Sequence, residues 1–192
     1  MSHHSAKEER IEIVEEHGIL SPEEEELKKQ ESKLNIVQEL RDSSEWYETV
    51  PHNYLSRSAF EHSLTANTLR GPHKILRRPL KFFNESKTEC IIIIHLGDHL
   101  CGNNGMVHNG LLATLLDEQL AFVTLPHLPG FTGFTANLDI SYLQPVYPNQ
   151  WIIIKGILNR IEGRKGYATA WIEDTRGTKI TESKSLYISP RK

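Results

Sequence analysis

Apolar residues occupy positions 111, 112, 113, 115, 116 and 120 to 123, covering nearly every direction around a helix between His108 and Pro126. A helix that is apolar all round is normally buried in a core. Asp117 and Glu118 nevertheless stand in its middle. An unpaired carboxylate in a core costs several kcal/mol unless it is paired, hydrogen-bonded or protonated. The pattern thus predicts a buried helix that carries an acid for a reason.

The segments around it read as strands. Glu89–Leu96 is a short run rich in isoleucine, the mark of a buried strand. Thr135–Tyr142 alternates, with Ala136, Leu138, Ile140 and Tyr142 on one face and Thr135, Asn137, Asp139 and Ser141 on the other. Gln150–Arg160 is rich in β-branched residues, and Gly-containing turns at 162–166 and 174–177 lead into Tyr167–Glu173 and Lys179–Ser189. One strand, one long apolar helix and four antiparallel strands predict an α+β fold, with the helix lying across the concave face of the sheet.

The first half is plainer. Ser21-Pro22-Glu23-Glu24 predicts a helix start with a capping box, and Leu27, Leu34, Val37 and Leu40 extend one apolar stripe to about Arg41. A second short helix is expected near Ser44, burying Trp46 and Tyr47. From Pro51 to Pro79 the pattern is irregular. His52, His62 and His73 are spaced too widely to suggest a metal site, so no metal is expected.

Charge changes the picture only locally. The net charge is −3, yet residues 1–31 hold ten Glu against Lys7, Arg10, Lys28 and Lys29, leaving the remainder basic. Five Lys or Arg lie between Arg70 and Lys81 with no acid, which reads as a solvated loop or, alternatively, an anion site. Without a recognition motif the cluster does not point to nucleic acid. No apolar run approaches the length of a membrane span. Cys90 and Cys101 give no disulfide framework and fit a reducing, intracellular compartment. The first thirty residues lack a secretory signal pattern, and they are acidic for a mitochondrial transit peptide.

His108-Asn-Gly-Leu-Leu-Ala-Thr-Leu-Leu-Asp117, followed by Thr135-Ala-Asn-Leu-Asp-Ile-Ser-Tyr-Leu-Gln-Pro145 and the turn Ile161-Glu-Gly-Arg-Lys165, resembles the hotdog-fold acyl-CoA thioesterases. Within that family it resembles the phenylacetyl-CoA-thioesterase-like branch, which includes the animal mitochondrial long-chain enzymes and their fungal relatives. The resemblance covers about residues 85–190. It implies a hotdog domain at 85–192, preceded by an acidic helical extension and connecting segment at 1–84. The implied activity is hydrolysis of medium- to long-chain fatty acyl-CoA, with coenzyme A entering as part of the substrate and no separate cofactor.

The same resemblance implies a homodimer or dimer of dimers with active sites between subunits. Asp117 is then the general base or the nucleophile, and Thr135 positions it or the attacking water. Asn109, where the family usually has glycine, offers the oxyanion-hole N–H; Gly110 allows close approach, and His108 shapes the loop. Arg164 and Lys165 are candidate contacts for coenzyme A phosphates. Asn103 and Asn104 lie in the loop before the motif, where an amide can orient water.

Without the resemblance, Asp117 also reads as a structural carboxylate paired with a neighbouring cation. Glu118, about 100° further around the helix, reads as an interface or surface group and as the reserve acid. A non-catalytic acyl-CoA-binding protein and a hydratase or dehydratase are the alternative functions. Compartment stays divided between mitochondrion, from the resemblance, and cytoplasm, from the acidic start.

Overall fold

The computed structural model describes residues 20–191, so the expectations for the first nineteen residues lie outside the described part. Helices α1 (Pro22–Ser32) and α2 (Asn35–Asp42) are followed by strand β1 (Trp46–Thr49), short helix α3 (Arg57–Glu61) and strands β2 (Leu80–Asn84) and β3 (Glu89–Leu96). Then come the long helix α4 (Asn109–Thr124) and strands β4 (Phe134–Tyr142), β5 (Gln150–Glu162), β6 (Lys165–Asp174) and β7 (Lys179–Ile188). The strands form one antiparallel sheet in the order β1-β2-β3-β5-β6-β7-β4, with α4 packed against it.

The isoleucine run of β3 serves two cores. Ile92 and Ile94 pack with Leu112, Leu116 and Leu120 of α4, whereas Ile91 and Ile93 pack with Leu27, Val37 and Leu40 of α1 and α2. A strand covered on both faces has no polar side, so its sequence loses alternation. The helix turns Leu111, Leu112, Leu115, Leu116, Gln119 and Leu120 to the sheet. Ala113, Thr114, Asp117, Glu118, Ala121 and Phe122 lie half-buried on its other side. The helix is therefore not sealed in a core on every side, as its composition suggests, and both acids sit on the open flank.

The N-terminal half differs from expectation in several ways. Ser21 caps α1 by accepting from the Glu24 amide at 3.2 Å, as its sequence predicts. The expected single helix breaks at Lys33–Leu34, where Leu34 is extended and starts α2. The break lets the apolar stripes of two short helices both reach the sheet. The helix expected near Ser44 is instead strand β1, in keeping with the β preference of Trp, Tyr and Thr, and it pairs with β2. Residues 1–84 thus contribute two strands to the sheet besides helices.

The basic stretch is mostly consumed by structure. Arg77 pairs with buried Glu31 at 3.1 Å, and Arg70 donates to the carbonyls of Leu76 and Arg77. Lys74 donates to the Thr68 carbonyl, while Lys81 is buried with its ammonium 4.1 Å from the centre of the Phe122 ring. These contacts engage four of the five cations, all but Arg78, and so leave little of the stretch for a solvated loop or an anion site.

Candidate active site

Asp117 is anchored through one oxygen. Its Oδ1 accepts from the Thr135 hydroxyl at 2.8 Å and from the Tyr187 hydroxyl at 2.7 Å. Tyr187 also lies 2.6 Å from the Asp117 carbonyl. Among the described residues Oδ2 has no protein partner, so one carboxylate oxygen is fixed and the other is available. No Arg or Lys pairs with this carboxylate among the described residues, which removes the structural ion-pair reading.

The register of β4 and β7 delivers both hydroxyls. Thr135 stands directly opposite Tyr187, so their side chains share one face. A bulge between Thr135 and Asn137 interrupts the strict alternation expected from the sequence. The extra residue, Ala136, places Thr135 on the same inward side as Leu138 and Ile140, which pack against the core. Without it Thr135 would point away from the helix.

Tyr187 is the site residue that sequence reading overlooks. It is buried, and its hydroxyl is held well above the ordinary tyrosine range, chiefly by burial and also by the Asp117 carboxylate. It therefore stays a donor throughout the physiological range. Only its position across from Thr135 betrays it, and that register is not written in any short motif.

The other end of the helix is built by His108 and Gly110. The His108 ring caps α4, with Nδ1 accepting from the Gly110 amide at 2.9 Å. A Cβ at position 110 would lie 2.8 Å from that nitrogen, so the cap requires glycine. Asn109 follows as the first helical residue. Its carbonyl accepts from the Tyr142 hydroxyl at 3.1 Å, and among the described residues its N–H has no acceptor.

Asn109 borders a cavity of about 560 Å³ lined on one side by residues that include Asn103, Met106 and His108, and on the other by Tyr142–Val146. Asn104 also lines it, but its side-chain oxygen is engaged by the Met106 amide. An unsatisfied N–H at the positive end of a helix facing a cavity is a ready anion or oxyanion site.

The remaining candidates fall elsewhere. Glu118 is not a surface group. It is largely buried beneath the connecting segment, accepts from the Thr65 hydroxyl at 2.7 Å and lies 3.8 Å from His52. Burial raises its pKa, and its hydrogen-bond donor is Thr65 rather than Thr135 or Tyr187. Arg164 donates to the Ser189 carbonyl at 2.6 Å and Lys165 is exposed; neither lines the cavity.

Residues 104–181 match the thioesterase superfamily. This chain carries a thioesterase-superfamily domain. In fold the domain is a hotdog, an antiparallel sheet around one long helix. Its structural likeness includes a solved thioesterase superfamily protein, RHA08564, with a TM-score of 0.52 and 24% identity over 64% of this chain and 62% of that one.

Among curated relatives, the UPF0644 protein of Schizosaccharomyces pombe is 33% identical over 165 residues, taking in 82% of this chain and 62% of its own length. An uncharacterized mitochondrial protein of Candida albicans is 29% identical, over 82% of this chain and 77% of its own. The acyl-coenzyme A thioesterase THEM4 of Rattus norvegicus is 31% identical over 108 residues, or 56% of this chain and 46% of the rat protein. The chain thus spans about three fifths of the fission-yeast relative and under half of the rat enzyme. The candidate catalytic residues read from the sequence, His108, Asn109, Gly110, Asp117 and Thr135, all fall within 104–181. Tyr187 lies just past the matched stretch.

Proposed function

We propose that the protein is an acyl-CoA thioesterase in which Asp117 activates water, or attacks directly, at the thioester carbonyl. The observation that carries this reading is the Asp117 carboxylate, held by Thr135 and Tyr187 through Oδ1 with Oδ2 open. As a base, it takes a proton from water while the water oxygen attacks the carbonyl carbon. The carbon–sulfur bond then breaks, and coenzyme A leaves as the thiol once protonated. Attack by the carboxylate itself would give an anhydride that water reopens. The Asn109 N–H supplies the oxyanion donor, and a single donor of this kind is typically worth about 3–4 kcal/mol of barrier.

The site is composite. Asp117 and Asn109 are eight residues apart on one helix, a separation of roughly 12 Å along its axis. A thioester carbon and its oxygen cannot touch both. The oxyanion donor for one Asp117 must therefore come from a second helix N-terminus, that of another copy of the chain. Strand β4 is an edge strand, and Phe134 and Tyr142 on it are exposed, as are Phe131 and Leu143 nearby. An open edge flanked by apolar side chains is suited to pairing with a twofold-related copy. Medium- to long-chain acyl groups are the proposed substrates, Arg164 and Lys165 the proposed phosphate contacts, and the mitochondrion the proposed compartment. The likeness to THEM4 supports an acyl-CoA substrate, and the likeness to the mitochondrial fungal protein supports that compartment.

The test is hydrolysis of a panel of acyl-CoA thioesters, followed by release of free thiol. Asp117→Asn keeps the shape but cannot accept a proton, so turnover should fall about 10²- to 10⁴-fold with fold and assembly intact. A variant retaining more than about half the activity would remove Asp117 from the mechanism.

A further inference from the structure

His73, Asp98 and His99 come together outside the candidate active site. All three are exposed, and their ligand-type atoms lie within 4.8 Å of one another. His73 Nδ1 is 3.0 Å from the Asp98 carboxylate, and the two imidazole rings stack with centroids 4.4 Å apart.

The backbone holds this arrangement in advance. The His99 amide donates to the His73 carbonyl at 2.8 Å, and the Gly97 amide donates to the Lys74 carbonyl at 2.9 Å. A Cβ at position 97 would lie only 2.4 Å from the His73 carbonyl oxygen, so glycine is what permits the two segments to approach. His73 itself is held at φ 62, a left-handed conformation uncommon for a residue with a side chain. An ion pair accounts for His73 and Asp98, but exposed pairs are worth little. It does not account for His99, whose ring stacks on that of His73.

We propose that His73, Asp98 and His99 form a binding site for one divalent transition-metal ion, zinc being the reference case. Two neutral imidazoles and a carboxylate suit a borderline ion and do not suit magnesium or calcium, which prefer all-oxygen shells. Tetrahedral zinc with bonds of about 2.0–2.1 Å needs ligand atoms roughly 3.4 Å apart. Exposed side chains can close the remaining gap by rotation, and water completes the fourth position. The bound ion staples the connecting segment at residue 73 to the turn at 97–99. That turn leads directly to Leu100, whose carbonyl accepts from the His108 amide at 2.9 Å. The metal thus braces the loop that carries the cap of α4.

Zinc titration of the full chain by calorimetry, beside thermal unfolding, tests the proposal. The comparison is with His99→Gln and with His73→Asn, since asparagine tolerates positive φ. His3 and His4 are common to all three proteins, so only the difference in uptake counts. Wild type should take up one equivalent more than either variant. At about a hundredfold excess over Kd its Tm should rise by roughly 5 °C or more, a shift both variants lack. If His73→Asn does not fold, His99→Gln decides alone, because its ring is exposed and supports no core. Equal zinc uptake and equal Tm shifts in wild type and His99→Gln, or no uptake at all, would overturn the site.

Discussion

A carboxylate on an apolar helix becomes intelligible once its surroundings are counted group by group. Asp117 lies on the half-buried flank of α4, and two hydroxyls satisfy one of its oxygens. Tyr187 does more than stabilise it. By donating to Oδ1 it holds the carboxylate in place and leaves Oδ2 without a hydrogen-bond partner among the described residues. Tyr187→Phe preserves the ring and removes only that donor. Because hydrogen bonds to charged groups are worth about 1.5–3 kcal/mol, kcat should fall roughly 10-fold or more with KM little changed. Steady-state kinetics on the best thioester checks this. A proportional rise in KM with unchanged kcat would make Tyr187 a binding residue instead. Asp117 and Thr135 are legible in the sequence because their spacing from His108 is a pattern. Tyr187 is not, since its role depends on lying opposite Thr135 across a ladder that closes only in three dimensions.

Local rules account for some elements and mislead on others, and each failure has a physical source. Helix α1 begins where Ser21 and Pro22 say it should, and α4 ends beside Pro126. Strand β2 is hidden because Lys81 occupies an inward position, where its ammonium rests on the Phe122 and Phe83 rings. Such a residue breaks the apolar pattern while behaving as part of the core. Strand β4 misleads in the opposite way: its alternation looks perfect, yet the bulge at Ala136 reverses the facing of Thr135 relative to the residues that follow. Removing the bulge tests whether that reversal matters. Deletion of Ala136 should leave the strand paired but turn Thr135 outward, since a one-residue slip exchanges faces. Turnover should then fall at least as far as in Thr135→Val, with circular dichroism close to wild type. Full activity in a folded deletion variant would show that the Thr135 hydroxyl is dispensable.

The whole chain responds to pH through groups the proposed active site does not use, and the proposed catalytic unit extends beyond one copy. His52, facing Glu118, Lys81 and Arg70, is pushed down to about 4 by burial and then by the two cations. Its unfolded value is about 6.5, so between these limits the unfolded chain binds a proton that the folded chain does not, and stability falls as pH drops. Glu118, raised by burial, works in the opposite sense. His52→Asn keeps the positive φ and should lessen the loss between pH 6.5 and 4 by about 2–3 kcal/mol in urea melts. An unchanged acid limb would exclude His52 as its source. The composite site makes a sharper demand. Asp117→Asn removes the acid, and Asn109→Pro removes the oxyanion N–H at a helix position that tolerates proline, so each variant alone should be nearly inactive. Unfolded and refolded together, the two chains form mixed dimers in which one site lacks both groups. The other site pairs the intact Asp117 of one chain with the intact Asn109 of its partner. Half of the dimers are mixed by chance and each has one working site, so the mixture should recover about a quarter of wild-type activity. A site complete within a single chain predicts no recovery, because neither variant chain holds both groups.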